Sequence, residues 1–182
     1  MKHSSKPRVV YKGKIFTITQ QEVVDNKGIK HIVEKGYRPN IVTVIGIIDN
    51  KVLMIKEFRP GPEKYILWLP GGKVEDGENS KAAALKEFKE ETGYVATGLT
   101  LFHKRLLSDN FYGEGKVYLA KGTRLVKKNA AKQGDEKGKM SVVKLPLSEA
   151  ARNALEGKIP NEFFSFLILK LDYLIKNNKL KI

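Results

Sequence analysis

Gly71–Tyr94 reads GGKVEDGENSKAAALKEFKEETGY. Its consecutive glycines lead straight into a helical segment, and residues without side chains let backbone carbonyls come close to a ligand. Asn79–Thr92 carries that helix, with Asn79 or Ser80 as N-cap, Gly93 as the C-terminal stop, and Ala82, Leu85 and Phe88 as the apolar stripe. Glu87 and Glu91 are four apart and share one face, Glu90 lies three from Glu87, and Glu78 stands in the preceding loop. Like charges at that spacing destabilise a helix by roughly 0.2–0.5 kcal/mol per pair. Two readings follow. Lys86 and Lys89 could soften a solvated acidic face, or divalent ions could lie against it and clamp a pyrophosphate. The glycine approach, and the gathering of acids on one short helix of a basic chain, favour the second.

Outward from this stretch, strands dominate. Upstream, Ile41–Ile48 (IVTVIGII) is a continuous β-branched run of the kind buried on both faces, and Val52–Phe58 follows the turn Asp49-Asn50-Lys51. After the loop Arg59-Pro60-Gly61-Pro62, Tyr65–Leu69 forms a short strand that stops at Pro70. Earlier still, Val9–Thr19 is β-rich, Gln20–Val24 continues it, Asp25–Gly28 turns, and Ile29–Lys35 returns. Downstream come strands at Thr100–Leu107, Lys116–Ala120 and Ser141–Leu145, a helix at Ser148–Leu155 and an apolar terminal helix at Asn161–Ile175. The polar segment Lys127–Lys139 reads as a loop. This pattern predicts an α+β fold or an α/β/α sandwich. Residues 1–40 form an N-terminal antiparallel β lobe, too poor in apolar residues to bury itself, and 41–182 the main domain.

Composition narrows the chemistry. The chain has 182 residues, 41% of them hydrophobic, enough for a full core. It has no cysteine, which excludes disulfides and thiolate metal sites. His3, His31 and His103 have no zinc-like spacing, so a metal would be a hard cation on carboxylates. The formal charge of +14 either attracts polyanions or reflects a lysine-rich soluble surface, and the cations are spread along the chain. The first ten residues lack a signal-peptide core, and no apolar run approaches a membrane span, so a cytoplasmic protein is expected.

The stretch resembles the Nudix box, G-x5-E-x7-R-E-U-x-E-E-x-G-U, with U an apolar residue. Gly72, Glu78, Glu87, Phe88, Glu90, Glu91, Gly93 and Tyr94 occupy its positions, and Lys86 stands where the family has arginine. The resemblance implies an α/β/α sandwich and a Mg²⁺-dependent (or Mn²⁺-dependent) pyrophosphohydrolase. It implies that the Gly71 carbonyl, Glu87 and Glu91 ligate metal, that Glu90 shares or orients, with Glu90 and Glu91 catalytic, and that Gly72, Glu78 and Lys86 support them. Arginine can fork across two glutamates, whereas lysine is a point charge, so looser positioning is expected.

Residues 9 to 176 are similar in layout to the ADP-ribose pyrophosphatase and nucleoside-diphosphate-sugar hydrolase branch, through VLMIKEFRP, LWLPGG, GDEKGKMSVVKLPLSEA and LEGKIP. That branch implies a substrate contact for Arg59 and Glu114, and a general-base or metal role for Glu136. Phe16, Tyr37 and Arg38 are candidates for base recognition. Ser108-Asp109-Asn110 replaces the branch's Ser-Pro-Gly, and Gly138 replaces a second loop acid, so the expected substrates are broader: ADP-ribose, GDP-mannose or another nucleoside-diphosphate sugar. The N-terminal lobe of that branch exchanges between subunits, which implies a homodimer. Two competing readings are a hydrolase of RNA 5′ ends or dinucleoside polyphosphates, and a non-catalytic nucleotide sensor on the same fold.

Overall fold

A computed structural model describes residues 2–3, 5–107, 111–126 and 140–181. The N-terminal lobe is a sheet of β1 (Lys2–His3), β2 (Arg8–Lys12), β3 (Thr17–Val24) and β4 (Lys30–Tyr37). The long strand expected from Val9 through Val24 is instead two, β2 and β3, folded against each other with Arg8 opposite Gln20. The Gly13 N–H donates to the Phe16 carbonyl at 2.8 Å, and that bond reverses the chain. The Asp25–Gly28 turn stands as expected: Asp25 Oδ1 accepts from the Lys27 and Ile29 N–H groups, and Gly28 takes φ 81°. Thr19, Gln21 and Val23 form the buried positions of β3, so this sheet has little apolar core of its own.

The main domain begins with β5 (Ile41–Ile45) and β6 (Ile47–Ile48), where the sequence suggested one strand. Gly46 breaks it: a Cβ there would lie 2.6 Å from the Phe88 ring, so the chain bends around that side chain and enters a second sheet. β7 (Lys51–Arg59), β8 (Lys64–Trp68) and β9 (Gly71–Lys73) follow, then α1 (Ser80–Thr92), β10 (Tyr94–Val95), β11 (Gly98–Leu106), β12 (Phe111–Tyr112), β13 (Glu114–Lys121), β14 (Arg124–Leu125) and β15 (Met140–Pro146). The chain closes with α2 (Leu147–Leu155) and α3 (Glu162–Lys176). One sheet runs β11-β13-β5-β9, with β13 and β5 parallel; the other runs β15-β7-β6, with β8 also on β7. β12 joins the N-terminal sheet, parallel to β4.

Two apolar clusters make a layered α+β sandwich. Val42, Val44 and Leu53 pack with Ala83, Ala84 and Phe88 of α1. Ile45, Val52 and Met54 pack with Leu147 of α2 and with Leu167, Ile168 and Leu171 of α3. Adjacent residues of β7 thus serve opposite layers, as strand alternation requires. Each buried large side chain contributes about 1.5–3 kcal/mol. No helix of the described residues is long and apolar enough to cross a membrane.

Candidate active site

The buried face of α1 differs from the apolar stripe that the sequence suggested. Ala82 and Leu85 face solvent, Leu85 at 38% exposure, while Ala83, Ala84, Glu87, Phe88 and Glu91 face inward. The physical reason is the partner surface. α1 packs over β5 and β9, and β9 carries Gly71 and Gly72, whose missing side chains leave room for carboxylates. A Cβ on Gly72 would overlap the Glu87 carboxylate, and one on Gly71 would overlap the Val42 carbonyl. Glu87 and Glu91 are only 8% and 6% exposed, and Glu91 Oε2 accepts the Gly71 N–H at 2.8 Å. Glycine next to carboxylate is therefore what seats this helix.

Both ends of α1 are secured locally. The Asn79 side chain accepts from the Lys81 and Ala82 N–H groups, and Gly93, at φ 74°, donates to the Lys89 carbonyl. Thr92 donates its hydroxyl to the Phe88 carbonyl. Lys86 Nζ donates to Glu78 Oε1 at 2.9 Å, and Glu78 Oε2 accepts the Glu75 N–H. This bond lowers the Glu78 pKa and raises that of Lys86. The lysine thus fastens the loop before α1 to the helix.

The expected acidic trio divides. Glu87 and Glu91 point into the layer against β9, whereas Glu90 lies on the exposed side of α1. Among the described residues no three acidic or histidine side chains converge as a ready-made metal cage. Two buried carboxylates over a side-chain-free glycine strand still suit a hydrated divalent cation, because Mg²⁺ keeps several waters and takes few protein ligands.

A cavity of about 450 Å³ opens beside this strand, with Gly71, Gly72 and Glu91 on one side. Its lining also holds Arg59, Glu57 and Trp68. Arg59 Nη2 donates to Glu57 Oε2 at 2.8 Å, and the guanidinium carbon lies 4.5 Å from the Trp68 ring centroid. Trp68 meets Phe164 of α3 edge-on at 5.2 Å. Arg38 and Lys14 close the N-terminal side. Trp68 Nε1 and Arg38 Nε are buried with no hydrogen-bond partner among the described residues. A donor left so costs about 1–3 kcal/mol, which a ligand rich in acceptor oxygens would offset.

Of the residues singled out in the sequence, the cavity therefore gathers Arg59, Arg38, Gly71, Gly72 and Glu91. Glu114 lies elsewhere, in a polar recess of about 270 Å³ with Glu78, Asn79 and Lys116. Lys116 at 3.2 Å and Lys104 at 3.7 Å flank its carboxylate, and the Lys116 hydrogen bond is the main cause holding its pKa low. Phe16 is edge-on to Phe111 at 5.5 Å and has the Arg38 guanidinium 5.9 Å from its ring centroid; Tyr37 stacks on Tyr112. Glu136, Ser108–Asn110 and Gly138 lie outside the described residues. Glu57, Trp68 and Lys14 were not singled out. Glu57 had one signal, its place two residues before Arg59 on a strand, hence on the same face.

Comparison with known proteins gives the family and the fold. The NUDIX domain model matches residues 37–163. The chain is 31% identical over 178 residues to the methanol dehydrogenase activator of Bacillus methanolicus, covering 97% of this chain and 94% of that protein. It is 31% identical over 145 residues to the ADP-ribose pyrophosphatase of Bacillus subtilis, covering 79% of this chain and 77% of that one. The crystal structure of an ADP compounds hydrolase superposes with a TM-score of 0.79 at 24% identity, over 99% of this chain and 98% of the other. That likeness carries the fold.

Proposed function

The chain belongs to the Nudix hydrolase family, and on that premise we propose that it cleaves the diphosphate bond of nucleoside-diphosphate sugars, ADP-ribose and GDP-mannose among them. The products would be a nucleoside monophosphate and a sugar phosphate. One observation carries this reading: a single cavity sets the Gly71–Gly72 strand and Glu91 against Arg59, which Glu57 grips and Trp68 stacks. A cation on an aromatic plate suits phosphate and base together, and the glycine strand suits the scissile group. The relative named as an ADP-ribose pyrophosphatase supports the same substrate class.

Glu87, Glu91 and the Gly71 carbonyl would hold Mg²⁺ or Mn²⁺, which supplies charge neutralisation and an acidified water when bound. The chain's own residues do the remaining work. Arg59, fixed by Glu57, orients the diphosphate, and Arg38 and Trp68 serve the groups attached to it. Glu90, on the exposed side of α1, or Glu136 would accept the proton of the attacking water. Glu78 and Lys86 position the helix. Phe16 supports Arg38, and Glu114 serves a substrate group outside the main cavity.

Residues 1–40 form the dimerisation lobe and 41–182 the catalytic domain. Val9, Tyr11, Ile29 and Ile32 are exposed on that lobe, an apolar surface that a second copy would cover. Sedimentation at micromolar concentration should give the mass of a dimer; a monomer would remove the lobe's role. A Mg²⁺ substrate panel of ADP-ribose, GDP-mannose, NADH and 5′-triphosphate RNA tests the activity. Release of nucleoside monophosphate from the sugars supports the reading, and turnover of RNA alone overturns it.

A further inference from the structure

Beside the cavity a second cationic cluster stands on the outer strands. Arg105 on β11 faces Gly115 on β13, Gly115 faces Ile41 on β5, and Ile41 faces Lys73 on β9. One register row thus joins Arg105 to the glycine strand. Three spacings of about 4.8 Å put the two strands roughly 14 Å apart. The Arg105 side chain lies over Gly115, where a Cβ would come within 3.2 Å of its Cγ and 3.4 Å of its Nε. Its guanidinium carbon is 3.6 Å from the Phe163 ring centroid, which fixes the plane of the group.

Arg38 approaches the same place. Its Cγ and carbonyl border Gly113, whose neighbour Leu107 also borders Gly115. Burial, and then the charge of Arg38, lower the Arg105 pKa. Both Nε atoms are buried without a hydrogen-bond partner among the described residues. Two half-buried, like-charged guanidiniums packed on aromatic rings are costly to hold together unless an anion joins them.

We propose that Arg38 and Arg105 form a subsite for a second phosphate of the substrate, a phosphomonoester on the nucleoside ribose, remote from the diphosphate that is cut. This rests on the hydrolase reading above. A phosphomonoester offers a dianion with several acceptor oxygens to the two cations. A diphosphate seated at β9 is too short to reach across three strands, so the group arriving here belongs to the far end of the substrate. Phe16 and Phe111 beside Arg38 give a base its stacking surface, which places the nucleoside on this side.

The test compares ADP-ribose with ADP-ribose 2′-phosphate, and AMP with adenosine 2′,5′-bisphosphate. In the wild type the extra phosphate should raise kcat/KM and affinity by about ten- to hundred-fold, the range of a charge-assisted contact. In Arg105→Gln both ratios should fall to near one, and Arg105→Lys should restore part of each. A wild-type ratio near one, or a ratio unchanged in Arg105→Gln, overturns the subsite. Calorimetric binding of the two nucleotides needs no turnover. If neither sugar nucleotide is cleaved, the hydrolase reading falls, and the binding ratio alone still decides whether the arginines take the phosphate.

Discussion

Helices α1 and α3 begin in the same way, each capped by an asparagine side chain, Asn79 and Asn161. They then bury opposite chemistry. α3 turns Phe164, Leu167, Ile168 and Leu171 inward, whereas α1 buries Glu87 and Glu91 beside Phe88 and leaves Leu85 in water. At about 1.5–3 kcal/mol per large apolar side chain, α3 anchors the fold and α1 gives up part of that contribution. The lesson is a division of labour. α1 is held by caps, alanines and one phenylalanine, so that its inner face is free to carry carboxylates.

The largest effect that could break this contrast is at Glu91. Glu91→Gln should lower kcat by about 10²- to 10⁴-fold, with the thermal midpoint held or raised, because the amide oxygen still accepts the Gly71 N–H. Activity near wild type would show that α1 is merely structural. Next comes Leu167→Ala, which should cost about 2–5 kcal/mol of unfolding free energy by denaturant titration, with kcat per folded molecule preserved. A matching loss of kcat would mean the two layers are not separate. Gly72→Ala should cost about 1–3 kcal/mol through overpacking against the Glu87 carboxylate, and should lower turnover as well. Loss of stability without loss of turnover would detach Glu87 from the chemistry.

The smallest effect concerns the Glu78–Lys86 pair. Its hydrogen bond depresses the Glu78 pKa, so that carboxylate stabilises the fold above the carboxylate range and the contribution is lost as pH falls through it. Lys86 is raised, so its share is present below the lysine range and lost as pH climbs through it. The denaturant midpoint of Glu78→Gln should therefore lie slightly below wild type near neutrality and merge with it in acid. A gap that persists in acid would assign the effect to packing.

Local signals were legible in the sequence, and assembled surfaces were not. Asn79, Gly93 and the Asp25–Gly28 turn act through their own backbone neighbours, so residue type alone placed them. Gly46 looked like an interior strand glycine because the Phe88 ring that requires it lies 42 residues further along. The phase of α1 departs from its sequence pattern for a related reason: an apolar stripe is expected inward, and only the bare backbone of Gly71 and Gly72 makes a glutamate face the better fit. Glu57 and Trp68 become part of a site only where β7, β8 and α3 meet. Glu114, for which the branch resemblance implies a substrate contact, stands in a separate recess because β13 carries it to the side of Glu78 and Lys116.

Trp68 is the chain's single tryptophan, and it forms a wall of the cavity under the Arg59 guanidinium. Its ultraviolet emission therefore reports on one place only. Any molecule that displaces the cation or excludes solvent there should change intensity and colour at once, so the unlabelled protein carries its own optical gauge of occupancy.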